Sequence, residues 1–178
     1  YNIPKLKDFT PVCTTELITF ERESRKFQEL NANLVSLSID SSASQLAWIY
    51  DIYITTGIRI SFPIIADRAG EIARKYGMIS NEISNTKALG NVYMIDEQGV
   101  IRAILVYPLN IGRNTHEILR ILKALQITDK NNLSTPVNWN DQDPIISNMP
   151  QNINQVLQKK ENLRNNKNGL NWYLSFDK

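Results

Sequence analysis

The single cysteine of the chain lies in a segment whose other residues could activate it. The segment reads DFTPVCTTE over residues 8–16 and places Cys13 where a loop passes into a helix predicted over 14–30. A thiol at a helix N-terminus faces unpaired N–H groups and the positive end of the helix dipole, and both stabilise a thiolate. Because the thiolate is the nucleophilic form of cysteine, this position predicts a reactive thiol at Cys13.

Three neighbours of Cys13 have side chains that suit the same chemistry. Thr10 can direct its hydroxyl at the sulfur or at an incoming oxygen, while Pro11 stiffens the loop and withholds a competing N–H. Glu16 could accept a hydrogen bond from the Thr10 hydroxyl and fix its orientation. The structural alternative is that Thr10 only caps the helix and that Cys13 is a small buried apolar residue.

The elements that must hold this segment alternate between strands and helices. Strand-like patterns lie at 34–40, 62–67, 91–96 and 100–108, the last two joined by a turn at 97–99 that favours a hairpin. Apolar residues with helical spacing occur in four segments: 14–30, the segment after a Ser-rich cap at 41–44, 69–77 and about 114–125. This order of elements predicts an α/β fold.

The composition changes after Thr128, where Asn, Gln, Asp and Pro become frequent and one weak helical pattern remains near 151–164. We therefore predict a core domain over 1–128 and a C-terminal arm over 129–178. The arm keeps Trp139 and Trp172, and exposed aromatic residues usually pack on something. A partner subunit and the chain's own core are the two candidates.

The composition also argues against several classes of protein. The 20 Lys+Arg and 18 Asp+Glu leave a net charge of +2, which gives no support to a nucleic-acid-binding surface. One Cys and one His are too few for a structural zinc site, so we expect no metal and no cofactor. No apolar run approaches the roughly 18 residues of a membrane span. A lone thiol fits a reducing compartment, so we expect a cytoplasmic protein with a small substrate.

The stretch DFTPVCTTEL at 8–17 resembles the active-site signature of peroxiredoxins. The likeness continues through LVSLSIDS at 34–41, FPIIAD at 62–67, YPLNIGRNTHEILRILKALQ at 107–126 and TPVNWNDQD at 135–143. The last block is similar to the one-cysteine subfamily with a long C-terminal arm, including its archaeal members. LNWYLSFD at 170–177 resembles the tail of those archaeal forms, in which cysteines can act as resolving residues. Gly169 and Ser175 stand at the corresponding positions here.

The resemblance implies a thioredoxin-like fold with a C-terminal extension and the activity of a thiol peroxidase. Hydrogen peroxide or an alkyl hydroperoxide would oxidise the cysteine to a sulfenic acid, and an external thiol would reduce it again. A homodimer or a ring of dimers follows from the resemblance as well. The implied catalytic residues are Cys13, Thr10, Glu16 and Arg113, with Pro11 and Val12 as substrate-binding residues.

Two departures from the family pattern affect these expectations. Gly90 stands where the family has an arginine, and Lys87 is a poorer substitute because an ammonium lacks the planar fork of a guanidinium. YNIPKLK at 1–7 is short and polar, so we expect N-terminal strands of the fold to be missing, as in a fragment or a degenerate copy. Arg113 matches a second family arginine, although it could equally be a solvated residue that caps the next helix. The alternative function is a catalytically impaired assembly or interaction protein.

Overall fold

The chain forms two compact units, of which the first ends at Thr115 and the second begins at His116. The computed structural model describes residues 5–78, 90–131 and 133–177. The predicted division into a core over 1–128 and an arm over 129–178 stays a prediction.

The first unit alternates strands and helices, as the sequence pattern predicts. Its strands are β1 Lys5–Leu6, β2 Ser36–Ser38, β3 Ile64–Ala66, β4 Gly90–Ile95 and β5 Ile101–Tyr107. Its helices are α1 Pro11–Glu29, α2 Ser42–Thr56 and α3 Glu71–Lys75. Strands β1, β2 and β3 pair in parallel in that order, and β4 pairs with β5 as the predicted antiparallel hairpin.

A strand is present directly before the Cys13 segment, where the sequence pattern predicted none. Lys5 pairs with Leu37 and Leu6 with Ser38, and β1 also contacts β4. Strand pairing uses backbone groups, so two residues can pair without the alternation of apolar residues that reveals a longer strand. Leu6 is 2% exposed, and it is the one residue of this short strand whose apolar side chain anchors it in the core.

Helix α1 begins at the Cys13 segment for reasons that the local sequence supplies. Thr10 occupies the N-cap with extended backbone angles, and Pro11 takes the first helical position, where a missing N–H has no cost. The first helical hydrogen bond runs from the N–H of Thr14 to the carbonyl oxygen of Thr10 over 2.9 Å. Cys13 therefore lies in the first turn, as predicted.

A buried apolar cluster holds this first turn against α2 and β1. Its members, drawn from β1, α1 and α2, are Leu6, Cys13, Leu17, Trp48 and Ile52. Full burial of a side chain such as Leu17 stabilises the fold by about 1.5–3 kcal/mol. The thiol of Cys13 is thus part of the packed interior, and it is 8% exposed.

The second unit carries helix α4 Thr115–Asn131, which starts at the boundary, and helix α5 Ile153–Asn166, which confirms the weak pattern near 151–164. Its strands are β6 Ile145–Ile146, β7 Gly169–Asn171 and β8 Leu174–Asp177, paired in the order β6-β8-β7. None of the helices in the described part of the chain has the length and apolar character needed to cross a membrane.

The β7–β8 hairpin leaves no space for a side chain at Gly169. Gly169 pairs with Ser175, and a Cβ built on it would lie 2.4 Å from the carbonyl oxygen of Leu174 and 2.7 Å from the Cα of Ser175. These neighbours are backbone atoms, so they could not move aside without opening the hairpin. The hairpin in this form therefore has no place for a cysteine at 169.

Candidate active site

The sulfur of Cys13 receives a hydrogen bond from the loop that leads into α1. The backbone N–H of Lys7 donates to Cys13 Sγ over 3.4 Å. A donor aimed at the sulfur favours its negatively charged form, as does its place in the first turn of a helix. This contact was not predictable from residue types, because any residue except proline at position 7 supplies the same N–H.

Thr10 is held by the same loop rather than by Glu16. Its hydroxyl donates to the carbonyl oxygen of Lys7 over 2.8 Å. The predicted hydrogen bond from Thr10 to Glu16 is therefore wrong, because a hydroxyl has a single proton and the carbonyl of Lys7 lies closer along the turn. The hydroxyl does not cap the helix either.

A second set of contacts, made by Thr14 of α1 and supported by Trp48 of α2, fixes the backbone of Thr10. Both the N–H and the hydroxyl of Thr14 donate to the carbonyl oxygen of Thr10, over 2.9 and 2.8 Å. The hydroxyl of Thr14 in turn accepts from Nε1 of Trp48 over 3.1 Å. Trp48 is a buried residue of α2, and apolar spacing in that helix does not predict this role.

Glu16 and Arg113 form a buried ion pair next to the Cys13 turn. The guanidinium Nη1 of Arg113 contacts Oε2 of Glu16, and the backbone N–H of Arg113 donates to Oε1 over 2.8 Å. The side chain of Arg113 is 2% exposed and that of Glu16 is 5% exposed. The interpretation of Arg113 as a solvated residue that caps α4 is therefore wrong, because its charge is compensated by Glu16 and not by water.

Burial and mutual attraction act against each other in this pair. Burial raises the pKa of Glu16, and the charge and the backbone N–H of Arg113 oppose that rise. Burial lowers the pKa of Arg113, and the charge of Glu16 opposes that fall, with smaller contributions in the same direction from its neighbours Cys13 and Tyr107. Arg113 therefore lies within electrostatic range of the Cys13 side chain. Only the family resemblance placed these two residues, 100 positions apart, in one site, since neither composition nor spacing predicts their proximity.

The first turn of α1 and the segment before Arg113 lie side by side. A Cβ built on Gly112 would be 3.9 Å from Cγ1 of Val12, an ordinary van der Waals contact. Of the two predicted substrate-binding residues, Val12 is half-buried and Pro11 is exposed. Lys87, the predicted substitute for the family arginine, lies outside the described residues.

A buried carboxyl group, that of Asp8, lies at the start of the same loop. The hydroxyl of Ser38 lies 3.0 Å from Asp8 Oδ1 and 3.1 Å from Asp40 Oδ2, and the backbone N–H of Asp8 donates to Asp40 Oδ2 over 2.9 Å. Burial raises the pKa of Asp8, hydrogen bonds from Ser44 and Ser38 oppose the rise, and the nearby charge of Asp40 adds to it.

This carboxyl group predicts a specific dependence of stability on pH. A group whose pKa is raised by folding contributes stability that is present below its unfolded-state pKa and is lost as the pH rises through its folded-state pKa. The free energy of unfolding of the wild type should therefore fall relative to that of Asp8→Asn as the pH rises from 4 toward neutrality.

Urea unfolding of both proteins across that pH range measures the effect. Asp51→Asn, on the exposed face of α2, is the matched control and should track the wild type at every pH. A difference between wild type and Asp8→Asn that stays constant with pH would contradict the prediction.

No three His, Cys, Asp or Glu side chains are grouped so that they could hold a metal ion within residues 5–78, 90–131 and 133–177. The candidate site consists of the Cys13 thiol, the buried guanidinium of Arg113 and the hydrogen-bonded loop that contains Lys7 and Thr10.

Comparison with known proteins shows the family of the chain. Residues 5–104 match the model of the AhpC/TSA family. A curated relative, peroxiredoxin 2 of Caldanaerobacter subterraneus subsp. tengcongensis, is 45% identical over 171 residues, which cover 96% of this chain and 77% of the relative. The chain belongs to the AhpC/TSA family of peroxiredoxins.

Other peroxiredoxins extend the match over the whole fold. The peroxiredoxin of Methanocaldococcus jannaschii is 39% identical over 176 residues, covering 96% of this chain and 81% of the relative. A structure of the yeast mitochondrial 1-Cys peroxiredoxin, described with its glutathione/thioredoxin resolving mechanism, superposes with a TM-score of 0.83 at 33% identity over 98% of this chain and 84% of that one. The predicted α/β, thioredoxin-like fold and the family resemblance are confirmed.

The activity follows from the family. As a peroxiredoxin, the chain is a thiol-dependent peroxidase that reduces hydrogen peroxide and alkyl hydroperoxides through a cysteine sulfenic acid. Its substrates are peroxides and its reductant is an external thiol. The alternative of an impaired assembly protein is not favoured by these relatives.

Proposed function

We propose that Cys13 is the nucleophile of this peroxidase and that Arg113, Glu16 and Thr10 assist it. The Cys13 sulfur attacks the terminal oxygen of the hydroperoxide, so that an S–O bond forms while the O–O bond breaks. The sulfur is oxidised to sulfenic acid, and the other oxygen leaves and takes up a proton to become water or an alcohol. The observation that carries this proposal is the Cys13 sulfur in the first turn of α1, which accepts a hydrogen bond from the backbone N–H of Lys7.

The other residues act on charge and position. The guanidinium of Arg113 stabilises the thiolate and the negative charge that spreads over both oxygens in the transition state. Glu16 holds that guanidinium in place through two contacts. Thr10 turns its hydroxyl from the carbonyl of Lys7 to a bound peroxide, and Pro11 and Val12 line the approach to the sulfur.

The rate of sulfenic acid formation tests the proposal. The chain is mixed with dilute hydrogen peroxide at neutral pH, and the sulfenic acid is trapped with dimedone and counted by mass spectrometry. We expect oxidation orders of magnitude faster than that of free cysteine, and no trapped product in Cys13→Ser. A rate equal to that of free cysteine in the folded protein would overturn the assignment.

We also propose that a small thiol or a thioredoxin-like dithiol protein reduces the oxidised Cys13. The sequence contains one cysteine, so a second thiol from the same chain is not available to form a disulfide with it. Glutathione or thioredoxin added to the oxidised protein should restore the free thiol. Persistence of the sulfenic acid with both reductants would contradict this part of the proposal.

The arm over 129–178 is proposed to join two copies of the chain. Large apolar side chains of this segment are exposed, including Val137 at 89% and Leu170 at 83%. Surfaces of this kind usually pack against another protein surface. A homodimer would cover these side chains, and rings could be built from such dimers. The proposed compartment is the reducing cytoplasm, because the thiol must stay reduced.

Sedimentation velocity at micromolar concentration tests the dimer. We expect a dimer for the wild type and a shift toward monomer for the double variant Val137→Glu/Leu170→Glu, because each added carboxylate would have to be buried unpaired. Lys160→Glu, at an exposed polar position of α5, is the matched control and should sediment like the wild type. A monomeric wild type would rule out the proposed assembly.

A further inference from the structure

The hydroxyl of Thr14 joins the Cys13 turn to the neighbouring helix α2. It accepts from Nε1 of Trp48 over 3.1 Å and donates to the carbonyl oxygen of Thr10 over 2.8 Å. Trp48 is 1% exposed, so its indole N–H pairs with this hydroxyl and not with bulk water. A buried donor that loses its acceptor costs its full desolvation penalty. Thr14 is therefore the residue through which α2 holds the beginning of α1.

The bonds of Thr14 close the helical turn that contains the thiol. Its N–H and its hydroxyl both donate to the carbonyl oxygen of Thr10, so they span residues 10–14. The loop before the turn is tied to it as well, because the Thr10 hydroxyl donates to the carbonyl oxygen of Lys7 and the Lys7 N–H donates to the Cys13 sulfur. Unwinding the turn would break the bonds of Thr14 and take the sulfur away from Lys7.

The same closed turn limits access to the sulfur once it is oxidised. Cys13 is 8% exposed and belongs to the buried cluster of Leu17 and Trp48. An external thiol has to bring its sulfur to about 2.05 Å from Sγ, the length of a disulfide bond. In that step an S–S bond forms, the S–O bond of the sulfenic acid breaks, and the hydroxyl group leaves as water with the proton of the thiol. A packed interior has no room for the incoming molecule, so the turn has to open first.

We infer that Thr14 is a positioning residue that keeps the Cys13 turn wound and so sets the rate at which an external thiol reaches the oxidised sulfur. While its hydroxyl is bound on both sides, the sulfur stays at the Lys7 N–H, where it reacts with peroxide. Without the hydroxyl, the turn opens more often and the mixed disulfide with the thiol forms faster. This inference rests on the proposed function, in which Cys13 is the nucleophile and the reductant is a thiol from outside the chain.

Thr14→Val tests the inference, because valine has nearly the shape of threonine and lacks the hydroxyl. The protein is oxidised with one equivalent of hydrogen peroxide, and loss of the sulfenic acid on addition of glutathione is followed by mass spectrometry. We expect Thr14→Val to react about 10-fold faster than the wild type, the change that corresponds to one lost hydrogen bond. Thr14→Ser restores the hydroxyl and should return the rate toward that of the wild type. Thr14→Ala replaces the valine variant if that variant does not fold.

Hydrogen exchange of the reduced protein shows whether the opening is local. The protection factor of the N–H at position 14 should fall about 10-fold in Thr14→Val, while α4 keeps its wild-type protection, because only the Cys13 turn opens more often. Thr19→Val is the matched control, since the Thr19 hydroxyl makes the same kind of bond one turn further along α1, to the carbonyl oxygen of Thr15 over 2.7 Å. Its protection at position 14 and its rate of reduction should match those of the wild type.

Three results would overturn the role of Thr14. The first is wild-type protection at position 14 in the folded variant without the hydroxyl, and the second is a wild-type rate of reduction despite lower protection there. The third is an equal loss of protection at position 14 and in α4, which would mean that the whole fold is destabilised. If the wild type forms no sulfenic acid, the proposed function of Cys13 fails first and this inference fails with it.

Discussion

Arg113→Ala should lower the rate of sulfenic acid formation by about 10²- to 10³-fold, the usual cost of removing one preorganised group that stabilises charge in a transition state. The reason is that Arg113 is buried, bound to Glu16 and within electrostatic range of the Cys13 side chain. In such an environment a positive charge acts on the reacting sulfur more strongly than it would in water. Stopped-flow oxidation with hydrogen peroxide measures the rate.

Two further variants decide whether the charge, its geometry or the fold is responsible. Arg113→Lys keeps the charge but loses the planar fork, so its rate should lie between those of the wild type and Arg113→Ala. Arg25→Ala is the matched control, because Arg25 forms an exposed ion pair with Glu29 at 3.1 Å, and its rate should not change. A wild-type rate in folded Arg113→Ala would remove Arg113 from the mechanism.

Glu16→Ala should lower the free energy of unfolding by about 3–5 kcal/mol, because it leaves the guanidinium of Arg113 buried without its carboxylate. That loss is a large part of the roughly 5–15 kcal/mol that stabilises a typical domain. Glu16→Gln should cost less, since its amide oxygen can still accept from the backbone N–H of Arg113. Urea unfolding followed by circular dichroism measures both variants.

The exposed pair of α1 again provides the comparison. Glu29→Ala removes a carboxylate whose side chain is 61% exposed, and exposed ion pairs contribute about 0–1 kcal/mol. A loss for Glu16→Ala that is no larger than the loss for Glu29→Ala would mean that burial of the Glu16–Arg113 pair has little energetic effect. The peroxidase rate of Glu16→Gln reports separately on how firmly Arg113 is held.

Local sequence was sufficient to locate the helix that carries the thiol. Thr10 and Pro11 mark the start of α1, and the apolar spacing that follows defines its buried face, so Cys13 could be placed in a first turn. The strands at 62–67, 91–96 and 100–108 were found for a similar reason, since alternation of residue types depends on neighbours along the chain. The two-residue strand β1 has no such pattern, and it was missed.

The partners within the site could not be found in this way. Glu16 was assigned to Thr10 because the two are close in sequence, whereas in the fold it binds Arg113, which is 97 positions away. Gly90 was interpreted as a missing cation, and its contact with the guanidinium of Arg113 depends on how β4 meets the segment before α4. Contacts of this kind depend on packing, which residue types and spacing do not specify.

The sequence by itself determined that Cys13 lies in the first turn of a helix, the order of strands and helices, and, through its resemblance, the thiol peroxidase activity. Each of these follows from residues adjacent in the chain or from a motif with fixed spacing. The tertiary structure alone decided that Arg113 is buried on Glu16, that the Lys7 N–H reaches the Cys13 sulfur, and that the guanidinium lies against Gly90. These contacts depend on which distant groups are packed together in the interior, because a charge buried away from water is costly unless it is paired.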